Sequence, residues 1–171
     1  GLFYILATVA PIMTYPFIGF LMGGRPVDFL AHVSANEKQV IIGGLIELVY
    51  ALAVVGIIAT LHPLMKKYRP VLSLCFFSLR FLEAIGVMLH SLILFCLVSL
   101  SQTYTGVETV ELKLLGELLL IAREWIFLVG SGIIWSLSAL ILNVLLYQNQ
   151  LLPRWISGWG FIGAALSLLA Y

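Results

Sequence analysis

The stretch SLRFLEAIGVMLHSL, Ser78 to Leu92, places an arginine, a glutamate and a histidine inside a run of apolar residues. A charge at the centre of a bilayer costs about 2.5–3.5 kcal/mol on insertion scales, so such a residue normally faces other helices and finds a partner there. Arg80, Glu83 and His90 recur at helical spacing, which puts them on one face of a helix. The stretch therefore predicts a membrane-spanning helix whose charged face is buried.

The composition around this stretch indicates an integral membrane protein. The 171 residues are 62% hydrophobic and only 10% charged, with a mean hydropathy of +1.12, whereas soluble proteins are about half apolar. A hydrocarbon layer of about 30 Å needs about 20 residues per helical crossing. The sequence thus predicts an all-α, polytopic transmembrane helical bundle that forms a single domain, residues 1–171. Because both ends lie within apolar segments, we expect the chain to lack part of both termini.

Five crossings are predicted from the apolar runs and the helix-boundary residues. They are Gly1–Met22, Val40–His62, Val71–Leu100, Trp125–Tyr147 and Trp155–Tyr171. Ser34 and Glu37 have capping-box spacing ahead of the second crossing, and residues 63–70 are predicted to form a short turn after it. A helix from Leu112 to Tyr147 would be about 54 Å long, longer than a bilayer is thick. We therefore predict a separate interfacial helix between the third and fourth crossings.

The orientation of the bundle follows from its basic residues, because short cytoplasmic loops are enriched in lysine and arginine. The turn of residues 63–70 holds Lys66, Lys67 and Arg69 within a few positions. The loops on the opposite side are longer and mix their basic residues with acidic ones. The higher density of basic residues predicts that residues 63–70 are cytoplasmic.

The expected depths of the charged residues predict a buried cluster. Arg80 and Glu83 can pair within their own helix, and Glu47 on the second crossing is expected close to the level of Glu83. We predict a Glu47–Arg80–Glu83 site in which Arg80 bridges the two glutamates. Its excess negative charge fits a glutamate that is protonated or that binds a cation. The alternative interpretation, which we slightly favour, is a structural ion-pair network that fixes helix register.

A second candidate site is predicted at the outer end of the third crossing, where His90 and Glu124 are expected to lie near the same rim. Arg123 and Glu124 are typical of an interfacial anchor at the start of the fourth crossing. No HxxxH, HExxH or CxxC spacing accompanies the histidines, so we predict no metal and no cofactor.

Three motifs carry a family resemblance. They are RFLEA with Arg80 and Glu83, LLPRWISGWG from Leu151 to Gly160, and SANEKQ from Ser34 to Gln39. With these motifs the chain resembles the bacterial multi-pass membrane family known as domain of unknown function 4386. The resemblance spans most of the chain and implies five to six transmembrane helices in a bacterial plasma membrane. It implies no activity.

Two classes of function fit these features. The first is a non-catalytic membrane component, either an accessory subunit or a protein that binds a small ligand or lipid. We favour it because the chain is small, its loops are short and no complete catalytic set is present. The second is a small proton-coupled transporter or membrane-embedded enzyme in which Glu47 or Glu83 exchanges a proton. The expected partners are membrane lipids and other membrane subunits of a larger complex. The sequence has no basic run of the kind that binds nucleic acid, so no nucleic-acid partner is expected.

Overall fold

The computed structural model describes residues 1–19, 29–103, 109–150 and 153–170, and within these ranges every regular element is a helix. The elements are α1 (Leu2–Ile18), α2 (Phe29–Ala35), α3 (Glu37–Tyr68), α4 (Pro70–Gln102), α5 (Val110–Phe127), a π-helical segment (Leu128–Ile134), α6 (Trp135–Gln148) and α7 (Arg154–Leu169). Helices α3, α4 and the continuous segment Val110–Gln148 are long and apolar enough to cross a membrane, while α1 and most of α7 form shorter apolar helices. The predicted all-α transmembrane bundle is confirmed.

Helices α3 and α4 form a long antiparallel hairpin at the centre of the bundle. The predicted turn over residues 63–70 is wrong, because α3 continues through Pro63 to Tyr68 and only Arg69 separates it from α4. A proline removes one backbone donor, but packing can hold a helix together across it. Here Met65, just beyond the proline, is buried against Phe76 and Leu145. At the other end of the hairpin, the Gln102 amide donates to the Glu37 carboxylate over 2.7 Å.

The start of α3 also differs from the prediction. Ser34 lies inside α2, and Asn36 is the N-cap residue of α3 without a side-chain capping bond. The capping box of Ser34 and Glu37 is therefore not formed, because the residues that precede α3 are themselves helical.

The predicted helix boundary at Trp125 is likewise wrong. Residues 110–148 form one helical segment in which α5, the π-helical segment and α6 follow one another without a loop. The reason is tertiary packing: α5 lies against α4 and buries Gly116, Leu120 and Arg123. Because this packing keeps α5 against the bundle, the chain continues as a helix through Trp125 and does not form a separate helix in the membrane interface.

Two apolar clusters enclose the polar middle of the bundle. One comprises Ile18, Leu30, Val33, Val40, Leu94, Leu97, Val98 and Leu120. The other comprises Ile57, Met65, Phe76 and Leu145. Along both α3 and α4 the buried charged residues lie between the members of these clusters, so the ionised groups occupy the interior of the bundle at mid-height.

Candidate functional site

Three helices meet at one set of buried ionisable side chains, Glu47 of α3, His90 of α4 and Arg123 of α5, which we name the three-helix cluster. Arg123 Nη2 donates to Glu47 Oε1 over 2.6 Å, and Arg123 Nη1 donates to Glu47 Oε2 over 3.3 Å. Arg123 Nη1 also donates to the backbone carbonyl of His90 over 2.6 Å. The three residues are each at most 7% exposed. A charge-assisted pair of this kind ties all three helices together.

The imidazole of His90 completes the three-helix cluster. Its Nδ1 lies 3.1 Å from Glu47 Oε2, and because a carboxylate only accepts hydrogen bonds, this nitrogen carries the proton. The His90 ring packs against Phe127, with 5.6 Å between the ring centroids. With Nδ1 protonated toward Glu47, Nε2 is the nitrogen left for another contact.

A second group of polar side chains, Tyr50, Arg80 and Glu83, forms what we name the Arg80 cluster. Arg80 Nη1 donates to Glu83 Oε2 over 2.9 Å and to Oε1 over 3.2 Å. The Tyr50 hydroxyl of α3 donates to Glu83 Oε1 over 2.7 Å. The Arg80 guanidinium lies 5.7 Å from the centroid of the Phe76 ring. Arg80 Nε is buried and has no hydrogen-bond partner in the described part of the chain.

The predicted Glu47–Arg80–Glu83 site is therefore divided between two clusters. Arg80 binds Glu83 as expected, but the hydrogen-bond partners of Glu47 are His90 and Arg123. The cause is the position of the turn. Because α3 and α4 reverse at Arg69, Glu47 and His90 are almost equally far from the turn in sequence and lie side by side.

The charge of the site also differs from the prediction. Arg123 joins Glu47, and Arg80 joins Glu83, so the two glutamates are matched by two arginines. The excess negative charge expected from Glu47, Arg80 and Glu83 is absent. The reason is that Arg123, which was expected at the membrane interface, lies in the interior of the bundle.

Arg123 is the site residue that sequence reasoning missed. The sequence feature that could have predicted its burial is the spacing of Gly116, Leu120, Arg123 and Gly130. These residues are buried along one stripe of the continuous helical segment. His90 contacts Arg123, the residue before Glu124, and Glu124 itself is exposed. The outer-rim site of His90 and Glu124 stays a prediction.

Close contact between α4 and the π-helical segment brings the two clusters to opposite sides of one crossing point. A Cβ atom added to Gly86 would lie 3.5 Å from Gly130 Cα, and the reverse distance is 3.6 Å. Gly86 lies between Glu83 and His90 along α4. Small residues allow transmembrane helices to approach in this way, and π-helical segments often occur at functional sites.

A cavity of about 1220 Å³ opens beside both clusters. Its polar wall includes Glu47, Tyr50, Arg80 and His90, and the rest is mainly apolar. Helices α1 and α7 form its two flanks: α1 packs on α3, and α7 packs on α6. Among the described residues, no group of three or more His, Cys, Asp or Glu side chains is placed to hold a metal ion. The arrangement is suited to binding a molecule with an apolar body and a small polar end.

Small residues of α6 and α7 shape the far side of this cavity. Ser136 donates to the Gly132 carbonyl over 2.7 Å, and its oxygen lies 3.2 Å from the Ser167 hydroxyl oxygen of α7. Asn143 lies directly against Gly160, where an added Cβ would clash with the amide group. At Gly163 an added Cβ would meet no atom within 4 Å, so the cavity has open space beside this glycine.

Comparison with known proteins gives a family and no further relative. No curated protein and no solved structure matches this chain. The model of the family described as "Domain of unknown function (DUF4386)" matches residues 1–171. The match covers both polar clusters and every helix described above, and the chain therefore belongs to this family.

Proposed function

We propose that this protein is a non-catalytic membrane component that binds a lipid-like small molecule between α1 and α7. The observation that carries the proposal is the cavity of about 1220 Å³, in which largely apolar walls meet buried polar groups of α3 and α4. Small-molecule sites typically have volumes of about 300–1000 Å³. A cavity above that range has room for a polar head together with part of an apolar tail.

The position of the cavity supports access from the bilayer. Its flanks are two helices that pack on different neighbours, α1 on α3 and α7 on α6. A ligand dissolved in the membrane would enter between them without crossing the apolar clusters at either end of the bundle. We further propose that the membrane is a bacterial plasma membrane, that residues 63–70 face the cytoplasm, and that the protein serves as an accessory subunit beside other membrane proteins.

The alternative function, a proton-coupled transporter or membrane enzyme, depends on a glutamate that exchanges a proton. Glu47 and Glu83 each accept hydrogen bonds from an arginine at 2.9 Å or less. A glutamate that exchanges a proton would have to release its arginine partner, and a charge-assisted hydrogen bond opposes that release. These pairs favour the binding function over the proton-exchange function.

A cavity-filling variant tests the proposed function. Gly163→Phe places a large side chain where the glycine leaves open space, and Gly158→Phe is the matched control. Gly158 lies on the same helix and also has open space around an added Cβ, but it lines a smaller neighbouring cavity of about 390 Å³ instead of the cavity beside the two clusters. The measurement is native mass spectrometry of the protein released from detergent micelles, with extraction and identification of the bound lipid.

We expect the wild-type protein and Gly158→Phe to retain a bound lipid-like molecule, and Gly163→Phe to lose it. Equal retention by all three proteins, or no retained molecule in the wild type, would overturn the binding function. Proton uptake that accompanies solute flux in reconstituted vesicles, and that disappears in Glu47→Gln without loss of folding, would establish the transporter instead.

A further inference from the structure

We infer that the ligand of this cavity is a neutral lipid alcohol, an apolar chain whose terminal hydroxyl group donates a hydrogen bond to Nε2 of His90. This inference rests on the proposed function and specifies the chemistry of its ligand. It depends on three observations: the unpartnered ring nitrogen of His90, the balance of charge in both clusters, and the hydrogen bonds that hydroxyl groups of the wall already make.

His90 presents an unpartnered nitrogen to the cavity. The residue is 7% exposed and lines the cavity wall, and its hydrogen bond to Glu47 uses Nδ1. Nε2 has no hydrogen-bond partner among the described residues. The side-chain nitrogen and oxygen atoms of these residues that are both enclosed and unpartnered are Arg80 Nε and Ser157 Oγ, so Nε2 keeps accessible surface. A ligand atom in the cavity can therefore reach it.

The tautomer of His90 decides what this nitrogen binds. Because Nδ1 carries the proton that is donated to the Glu47 carboxylate, a neutral ring leaves Nε2 with a lone pair and no hydrogen. We assign the ring as neutral because Arg123 already balances the charge of Glu47, and a second proton on His90 would add an uncompensated charge to a buried site. Nε2 is thus an acceptor, and its partner must be a donor.

Hydroxyl groups of the cavity wall do not supply this donor. Thr8 and Thr14 of α1 donate to backbone carbonyl groups of their own helix over 2.8 Å and 2.9 Å. The donor for His90 Nε2 therefore comes from a molecule inside the cavity. A water molecule in a cavity needs several polar partners, whereas an alcohol needs one partner for its head and covers the largely apolar wall with its chain.

The Arg80 cluster is closed to the ligand head. Arg80 is bonded to Glu83, its guanidinium also interacts with the Tyr4 side chain of α1, and its Nε is enclosed by protein atoms. The Tyr50 hydroxyl donates to Glu83 over 2.7 Å. Because each cluster pairs one carboxylate with one arginine, an ionised head would be uncompensated beside either of them. The head is therefore neutral and binds at His90.

Four probes that share one tail and differ in the head test the inference. Each is an undecyl chain with a terminal bromine, which quenches tryptophan on contact, and the heads are a hydroxyl, a methyl ether, a primary ammonium and a sulfonate. Trp135 lines the cavity and is the reporter, after Trp125, Trp155 and Trp159, each at least 63% exposed, are replaced by phenylalanine. Titrations in phosphatidylcholine nanodiscs give a dissociation constant for each probe.

His90→Asn is the diagnostic variant, because an asparagine amide can donate to Glu47 in place of Nδ1–H and has no atom in the place of Nε2. His32→Asn is the matched control, at an exposed position of α2 outside the cavity wall. We expect the alcohol to bind the wild type about tenfold more tightly than the other three probes, and to lose affinity about tenfold in His90→Asn. Its affinity for His32→Asn should equal that for the wild type.

A spectroscopic readout on the unaltered protein accompanies the titrations. In protein labelled with ¹⁵N-histidine, the alcohol should shift the resonance of the unprotonated ring nitrogen of His90, and the methyl ether should leave it in place. The signals of His32 and His62 are the internal controls. This comparison of alcohol and ether decides the matter if His90→Asn does not fold.

Three results would overturn the inference: equal binding of alcohol and ether to the wild type, preferential binding of the ammonium or the sulfonate, and unchanged affinity of the alcohol for folded His90→Asn. Adding Gly163→Phe separates this failure from failure of the proposed function. If the preferred probe is not the alcohol and Gly163→Phe abolishes its binding, the cavity is a ligand site of different chemistry. If no probe responds to Gly163→Phe, both the site and its inferred ligand are rejected.

Discussion

The two polar clusters use the same residue types in different ways. In the Arg80 cluster the ion pair lies within α4, three residues apart, and only the Tyr50 hydroxyl comes from another helix. In the three-helix cluster each hydrogen bond between two side chains of the described residues joins positions at least 43 apart in sequence. A pair within one helix can neutralise itself before the helices assemble, whereas the three-helix cluster exists only in the assembled bundle. We therefore assign register and helix docking to the three-helix cluster.

The arginines of the two clusters also differ in how completely they are bonded. Arg123 uses both terminal nitrogens, on the Glu47 carboxylate and the His90 carbonyl. Arg80 bonds Glu83 through Nη1, and its Nε is left without an acceptor in the described part of the chain. Arg123 therefore joins α5 to both α3 and α4, whereas the ion-pair partner of Arg80 lies on its own helix.

The largest expected effect is on stability, from removal of the arginine of the three-helix cluster. Arg123→Met leaves the buried Glu47 carboxylate without its cation, and breaking a buried pair in this way is expected to lower the free energy of unfolding by about 3 kcal/mol. Unfolding by SDS titration in mixed micelles, followed by circular dichroism, measures the loss. Lys113→Met, on the same helix and outside both clusters, is the control and should change stability little.

The double variant Glu47→Gln/Arg123→Met tests whether the loss comes from the unpaired charge. Removing both charges should restore more than half of the stability lost in Arg123→Met. A double variant no more stable than the single one would show that Arg123 acts through packing and through its bond to the His90 carbonyl instead.

A smaller effect is expected when each arginine keeps its charge but loses its forked shape. Arg123→Lys cannot reach two Glu47 oxygens and the His90 carbonyl at once, so we expect a loss of about 1.5 kcal/mol. Arg80→Lys needs only one ammonium group beside Glu83, and its loss should be about half as large, ~0.8 kcal/mol. The same SDS titration compares the two. Equal losses at both positions would remove the distinction between the clusters.

The parts of the site that sequence reasoning predicted are those fixed by local spacing. Arg80 and Glu83 are three positions apart, and a helix brings such a pair together whatever surrounds it. Apolar runs of sufficient length predicted the spanning helices for the same reason. Both features depend only on residues close together in the chain.

The parts that were missed depend on where distant segments meet. The partner of Glu47 is set by the exact residue at which α3 reverses into α4, and the two prolines around that point favoured an earlier turn. Arg123 stands among glutamates and leucines that suit an interface equally well, and only packing of α5 on α4 places it inside. The cavity depends on the packing of α1 on α3 and of α7 on α6, and the residue pattern of one helix does not determine which helix it packs on.

The smallest expected effect concerns the hydrogen bond that joins α3 to the Arg80 cluster. Tyr50→Phe removes the hydroxyl that donates to Glu83 over 2.7 Å and leaves the Arg80–Glu83 pair in place. Hydrogen bonds between transmembrane helices average about 0.6 kcal/mol, so we expect a loss of that size in SDS titration, with Tyr68→Phe on the exposed end of α3 as the control. Because Glu83 stays paired with Arg80, helix docking should depend far less on Tyr50 than on Arg123. A loss in Tyr50→Phe as large as that in Arg123→Met would mean that the Arg80 cluster, too, holds the helices in register.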